Sequence, residues 1–122
     1  FAVCEAGIRL GERYAELAQS RGLGEMAAPC RRVPARGARS FREAVQALWT
    51  VKTAVEIAHP VNLHCFGRLD QTLNRFYEAD LEAGVLTEDE AIELFECMWV
   101  AMAIRRERVS AYISSISRLI LT

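Results

Sequence analysis

A chain of 122 residues, 52% hydrophobic and 25% charged, has the length and balance of one globular domain with a sizeable core, which excludes a disordered tail or linker as the main reading. Its formal charge of −1 gives no net pull toward nucleic acid, an anionic membrane or acidic substrates. No apolar run approaches the roughly 18 uncharged residues of a spanning helix. The opening Phe-Ala-Val-Cys-Glu carries no signal-peptide pattern, so the expected setting is cytoplasmic, within something longer.

From residue 1 to about 20, Phe1, Cys4, Ile8, Tyr14, Leu17 and Ala18 recur at near-helical spacing, and Gly22 and Gly24 stop the helix. Gly7 and Gly11 form a G-x-x-x-G, which in a charged helix marks a close helix crossing. The stretch Cys30–Arg39 has a proline, a glycine, four arginines and no period, so it reads as a connection. At Ser40-Phe-Arg-Glu43 the serine hydroxyl can accept the Glu43 amide while the Glu43 carboxylate reaches back to the Ser40 amide, a capping box. The helix it opens carries Phe41, Ala44, Val45, Leu48, Trp49, Val51, Val55 and Ile57 on more than one face. It is therefore expected to be largely buried, and Pro60 ends it.

Leu69, Leu73, Phe76, Tyr77 and Leu81 form one stripe of a further helix that Gly84 closes. Thr87-Glu-Asp-Glu90 repeats the capping box and starts a helix with core residues Ile92, Leu94, Phe95, Met98, Trp99 and Met102, ending near Arg105, Arg106 and Arg108. These two helices are expected to form a hairpin. A last amphipathic run, Tyr112, Ile113, Ile116, Leu119 and Ile120, reaches the chain end without a C-cap. The sum is an all-α bundle of about five helices in a single domain, residues 1–122.

The dense polar cluster of the loops is His59, Asn62, His64 and Cys65, in which imidazole and thiolate could ligate zinc or act as base and nucleophile. The spacing suits neither, because zinc needs four ligands and a nucleophile adjacent in sequence to its base usually points away from it. A loop that packs or lines a pocket is the simpler reading. Arg31, Arg32, Arg36 and Arg39 lack interleaved aromatic residues, so no nucleic-acid partner is expected. Glu88, Asp89, Glu90 and Glu93 are explained by capping and the helix dipole. Cys4, Cys30, Cys65 and Cys97 are evenly spread without a C-x-x-C pair and read as reduced, mostly buried thiols. Of the 15 basic residues only Lys52 is not an arginine, which reads as coding bias.

Several stretches then combine into a resemblance. Arg13-Tyr-Ala-Glu-Leu-Ala18, Val33-Pro-Ala with Ala38-Arg-Ser-Phe-Arg-Glu-Ala-Val-Gln-Ala-Leu-Trp49, Gly67-Arg-Leu-Asp-Gln71, and Tyr77-Glu-Ala-Asp-Leu-Glu-Ala-Gly84 with Leu86–Leu94 resemble, in order and spacing, the pyruvate formate-lyase domain of glycyl radical enzymes. The resemblance implies a large, usually dimeric enzyme of anaerobic metabolism built on an α/β barrel wrapped in helices. In it a radical on a C-terminal glycine passes to a barrel cysteine, and both belong to segments beyond those matched here. The resemblance therefore implies no catalytic residue and no cofactor in this chain, the glycyl radical being a property of the full-length family. It also places the stretch before Gly67 beside the substrate pocket and makes Asn62, Leu63 and His64 the pocket-lining candidates. His59-Pro-Val-Asn-Leu-His-Cys replaces the family's asparagine-glycine pattern there, which leaves the substrate class open.

The expected role is a scaffold with one pocket loop, inactive by itself. The expected partners are a second copy of the chain or the remainder of a larger enzyme. The alternatives are a non-catalytic dimerisation or binding module, and a small metal enzyme using His59, His64 and Cys65.

Overall fold

The computed structural model describes residues 2–58 and 66–120, with side chains through Ile104. Five helices follow one another: α1 (Ala2–Ser20), α2 (Gly24–Arg32), α3 (Phe41–Ala58), α4 (Leu69–Glu82) and α5 (Glu88–Ile120), with no strand among the described residues. The expected all-α bundle is present, but two of its five helices differ from expectation. Residues 24–32 are helical, and the two elements expected after residue 87 are one continuous helix of 33 residues. Arg105, Arg106 and Arg108 consequently lie inside α5 rather than at its end.

α2 forms against local preference. Its N-cap residue, Leu23, supplies no side-chain bond, and Pro29 inside the helix removes one backbone donor. Packing on α1 offsets this, with Ala15, Ala18, Ala27 and Cys30 closing a small buried cluster. Gly11 makes the close approach possible, since a Cβ there would lie 2.5 Å from the Cys30 carbonyl and 2.5 Å from Pro34 Cγ, whereas Gly7 faces open space.

α1 and α4 end in the same device. Gly22 and Gly84 adopt φ of 75° and 68°. The Leu23 amide donates to the Ala18 carbonyl and the Val85 amide to the Asp80 carbonyl, with the Gly22 and Gly84 amides donating to Gln19 and Leu81. Each is a paired C-terminal motif that needs a left-handed residue, which glycine supplies without penalty.

The main core joins α3, α4 and α5 around Phe41, which is 1% exposed and stacks edge-to-face on Tyr77 and Phe95 at centroid distances of 5.7 and 5.6 Å. Ala44, Val45, Leu73, Leu86, Ala91, Met98 and Met102 complete it. α4 and α5 do not form the expected hairpin along their lengths but pack on α3. The Phe41 amide donates to Asp80 Oδ2 at 2.7 Å, so a side chain from α4 satisfies one of the orphan donors at the start of α3.

Only half of α3 is buried as expected. Val51 and Ile57 are 62% and 60% exposed, because α4 and α5 reach the first turns of α3 and not its outer C-terminal face. Ile92, Trp99 and Cys97 are likewise exposed, since α5 turns Ala91, Phe95, Met98 and Met102 to the core and these three lie off that stripe. No described helix is long and apolar enough to cross a membrane.

Candidate functional site

Asn62, Leu63 and His64, with His59 and Cys65, lie outside the described residues. The frame that holds them is visible on both sides. α3 ends at Ala58. Chain resumes at Phe66, and Gly67 turns at a φ of 70° before α4 starts. That conformation explains the glycine of Gly67-Arg-Leu-Asp-Gln71. Arg68 donates from Nε and Nη2 to the two Asp70 oxygens at 2.9 and 2.6 Å, a fork that holds the Asp70 carboxyl below the usual carboxylate range. Both side chains are well exposed, so the pair shapes the turn more than it stabilises the fold.

Next to this frame, α3 and α4 enclose a cleft of about 290 Å³ with Phe66, Lys52, Thr72, Leu73 and Arg75 among its walls. Lys52 is the chain's one lysine and is 1% exposed. Its ammonium pairs with the Glu56 carboxylate one turn along α3 and lies 5.5 Å from the centre of the Trp49 ring. Burying such a pair is costly unless both charges are well met. Reading Lys52 as coding bias missed it, although a lone lysine inside the apolar run of residues 44–57 was the available signal.

The basic stretch is largely committed to structure. The Glu43 carboxylate, buried, accepts from the Arg39 amide at 2.8 Å and from Arg39 Nη2 at 2.7 Å, while Arg32 Nε lies 3.4 Å away. The Arg39 side-chain bond holds its pKa below the usual value against the opposing effect of burial, and the neighbouring charges of Arg39 and Arg32 add to it. The Ser40 hydroxyl accepts the Glu43 amide as expected, but the carboxylate reaches back to Arg39 rather than to Ser40. At Thr87 the reciprocal box is complete, at 2.8 and 3.3 Å. Arg31 donates to Gln19.

Among the described residues no three His, Cys, Asp or Glu side chains gather at metal-binding distance. Of the described cysteines, Cys4 and Cys97 are exposed and Cys30 is buried in the alanine-rich crossing of α1 and α2, so the expectation of mostly buried thiols holds for Cys30 alone. Burial pushes the Cys30 thiol up, away from thiolate character.

Five helices with a glycine-turned α3–α4 connection and paired glycine caps at the ends of α1 and α4 define an all-α bundle. The sequence pattern of the pyruvate formate lyase-like family matches residues 1–118, and the chain belongs to that family. It is 42% identical over 124 aligned residues to an isethionate sulfite-lyase of Nitratidesulfovibrio vulgaris, which covers 92% of this chain and 15% of the relative. Similarity extends to a trans-4-hydroxy-L-proline dehydratase of Clostridioides difficile at 38%, over 80% of this chain and 14% of the relative. An indoleacetate decarboxylase of Tractidigestivibacter scatoligenes is 36% identical over 78% of this chain and 12% of its own length. These relatives are glycyl radical enzymes. The chain spans about 15% of the length of the first two.

Proposed function

We propose that these helices are the scaffold of a glycyl radical lyase, supporting its barrel and presenting residues 59–65 to the substrate, with Asn62, Leu63 and His64 as the lining side chains. The observation that carries this reading is the frame itself. The family's Gly67-Arg-Leu-Asp-Gln71 stretch closes the connection with a left-handed glycine and an Arg68–Asp70 fork, so both ends of residues 59–65 are tied to packed helices. Hydrogen abstraction and the radical itself belong to family segments beyond the matched region. The substrate is a small molecule from which a carbon–heteroatom or carboxyl bond is cleaved, as the names of the relatives describe for those proteins. Cytoplasmic location and assembly with further copies or further chain are part of the same proposal.

The 122-residue chain, given an activating enzyme and S-adenosylmethionine, is expected to develop no glycyl-type electron paramagnetic resonance signal. Grafting residues 59–65 onto the matching positions of the Nitratidesulfovibrio vulgaris isethionate sulfite-lyase is expected to leave that enzyme's radical signal intact while changing its KM for isethionate. An unchanged KM would remove residues 59–65 from the pocket.

A further inference from the structure

On the opposite side of α3 from the Lys52 cleft, α1, α2 and α3 surround a second cavity, of about 210 Å³. Its walls are Tyr14 and Leu17 from α1, Met26 from α2 and Trp49 from α3, with Ala18 and Cys30 beneath and Arg21 at the turn between α1 and α2. We propose that this cavity binds a small aromatic monocarboxylate, its ring between Tyr14, Met26 and Trp49 and its carboxylate on Arg21.

Size, lining and charge agree. An apolar cavity of about 150 Å³ is enough to hold benzene. A volume of 210 Å³ therefore accommodates one six-membered ring with a short polar arm, but not a nucleotide or a sugar chain. Two aromatic rings and a thioether favour a flat, polarisable guest over a branched aliphatic one. The approach is open and apolar, Leu17, Leu23 and Met26 being 45%, 49% and 46% exposed, which is a cost to the free protein that a ligand ring would relieve.

The anionic end follows from Arg21. Among the described residues its guanidinium makes no hydrogen bond or ion pair, unlike Arg31, Arg32, Arg39 and Arg68. A planar fork without a carboxylate at the mouth of an apolar cavity matches a carboxylate arm in geometry and sign. Burial pushes the Cys30 thiol beneath the cavity up, away from thiolate character.

The test uses the Trp99→Phe chain, in which Trp49 is the remaining tryptophan and sits in the cavity wall. Fluorescence is titrated with 3-phenylpropionate and with its neutral amide, for this parent and for Arg21→Gln. Arg21 is exposed at a turn, so the variant keeps the fold, and circular dichroism checks that. The expected result is a saturable change with the carboxylate bound about tenfold or more tightly than the amide, with the difference gone in Arg21→Gln. No saturable change, equal affinity for the two probes in the parent, or a preference that survives Arg21→Gln would each overturn the proposal. Its failure leaves the scaffold reading untouched, since neither the radical assay nor the loop graft involves this cavity.

Discussion

Two glycines four residues apart on α1 are expected to respond to the same substitution with opposite signs. In a helix interior Gly→Ala is worth about 1 kcal/mol of intrinsic propensity in favour of alanine. Gly7 has nothing within 4 Å of an added Cβ, so Gly7→Ala is expected to stabilise the chain by about that amount. At Gly11 the new methyl would stand 2.5 Å from the Cys30 carbonyl oxygen and from Pro34 Cγ, where ordinary contact begins at 3.4 Å. α1 and α2 must then part by nearly 1 Å, and the carbonyl is backbone that cannot rotate aside. Overpacking of this kind costs about 1–3 kcal/mol. The Ala15, Ala18, Ala27 and Cys30 cluster loosens with it, so Gly11→Ala is expected to be net destabilising by up to about 2 kcal/mol once the propensity gain is subtracted. Urea unfolding of both variants, with the m-value checked for constancy, separates the cases. If Gly11→Ala stabilises as much as Gly7→Ala, α1 and α2 do not cross at Gly11 and the account of α2 fails with it.

Ser40→Ala removes the bond to the Glu43 amide and is expected to cost about 0.5–2 kcal/mol, while Asp80→Ala leaves the partly buried Phe41 amide without its charged acceptor and is expected to cost about 1.5–3. Denaturant midpoints that rank the two in the reverse order would contradict the assignment of Asp80 as the stronger cap. Trp49→Ala, which enlarges a cavity and uncovers Lys52, is expected to cost about 3 kcal/mol or more, and the half-exposed Trp99→Ala roughly 1–2. Equal losses would place Trp99 in a core. Glu43 supplies a pH dependence with a definite sign. Its folded pKa is depressed below 4.5, so its contribution to stability is present above that value and lost as the pH falls through the folded value. Glu43→Gln is expected to flatten the acid limb of a stability-against-pH curve, and an unchanged limb would show that the Arg39 fork does not form.

Most of the fold was legible where a local signal and a tertiary need coincided. Ser40, Thr87 and Gly84 mark helix ends by their own chemistry and do so in the structure. α2 was not legible because Gly24 and Pro29 argue against a helix locally, and its stability comes from contact with Gly11 and Ala15 rather than from its own residues. The burial of α3 and α5 was overestimated because apolar residues on several faces predict burial only when enough neighbours exist to cover them. Val51, Val55, Trp99 and Val100 are only partly covered by the described helices. For the candidate site, residues 59–65 were marked by the family resemblance rather than by any spacing. The cavity at Arg21 gave no sequence signal, since Tyr14, Met26 and Trp49 come from three helices and meet only through packing.

The bond from the Phe41 amide to Asp80 joins residues 39 apart in sequence and so makes the beginning of one helix conditional on the end of another. In a separated peptide of residues 38–58 the first turn would lose that acceptor and fray, even with Ser40 in place. In the intact chain the Phe41 amide can exchange its hydrogen only when α4 lifts from α3 or the first turn of α3 opens, so its exchange rate reports the opening of the α3–α4 pair as a cooperative unit. The segment that α3 and α4 hold between them therefore begins and ends on a unit that opens and closes together. Slow exchange at Phe41 would accordingly mean that the two supports of residues 59–65 stay in register for as long as that amide stays protected.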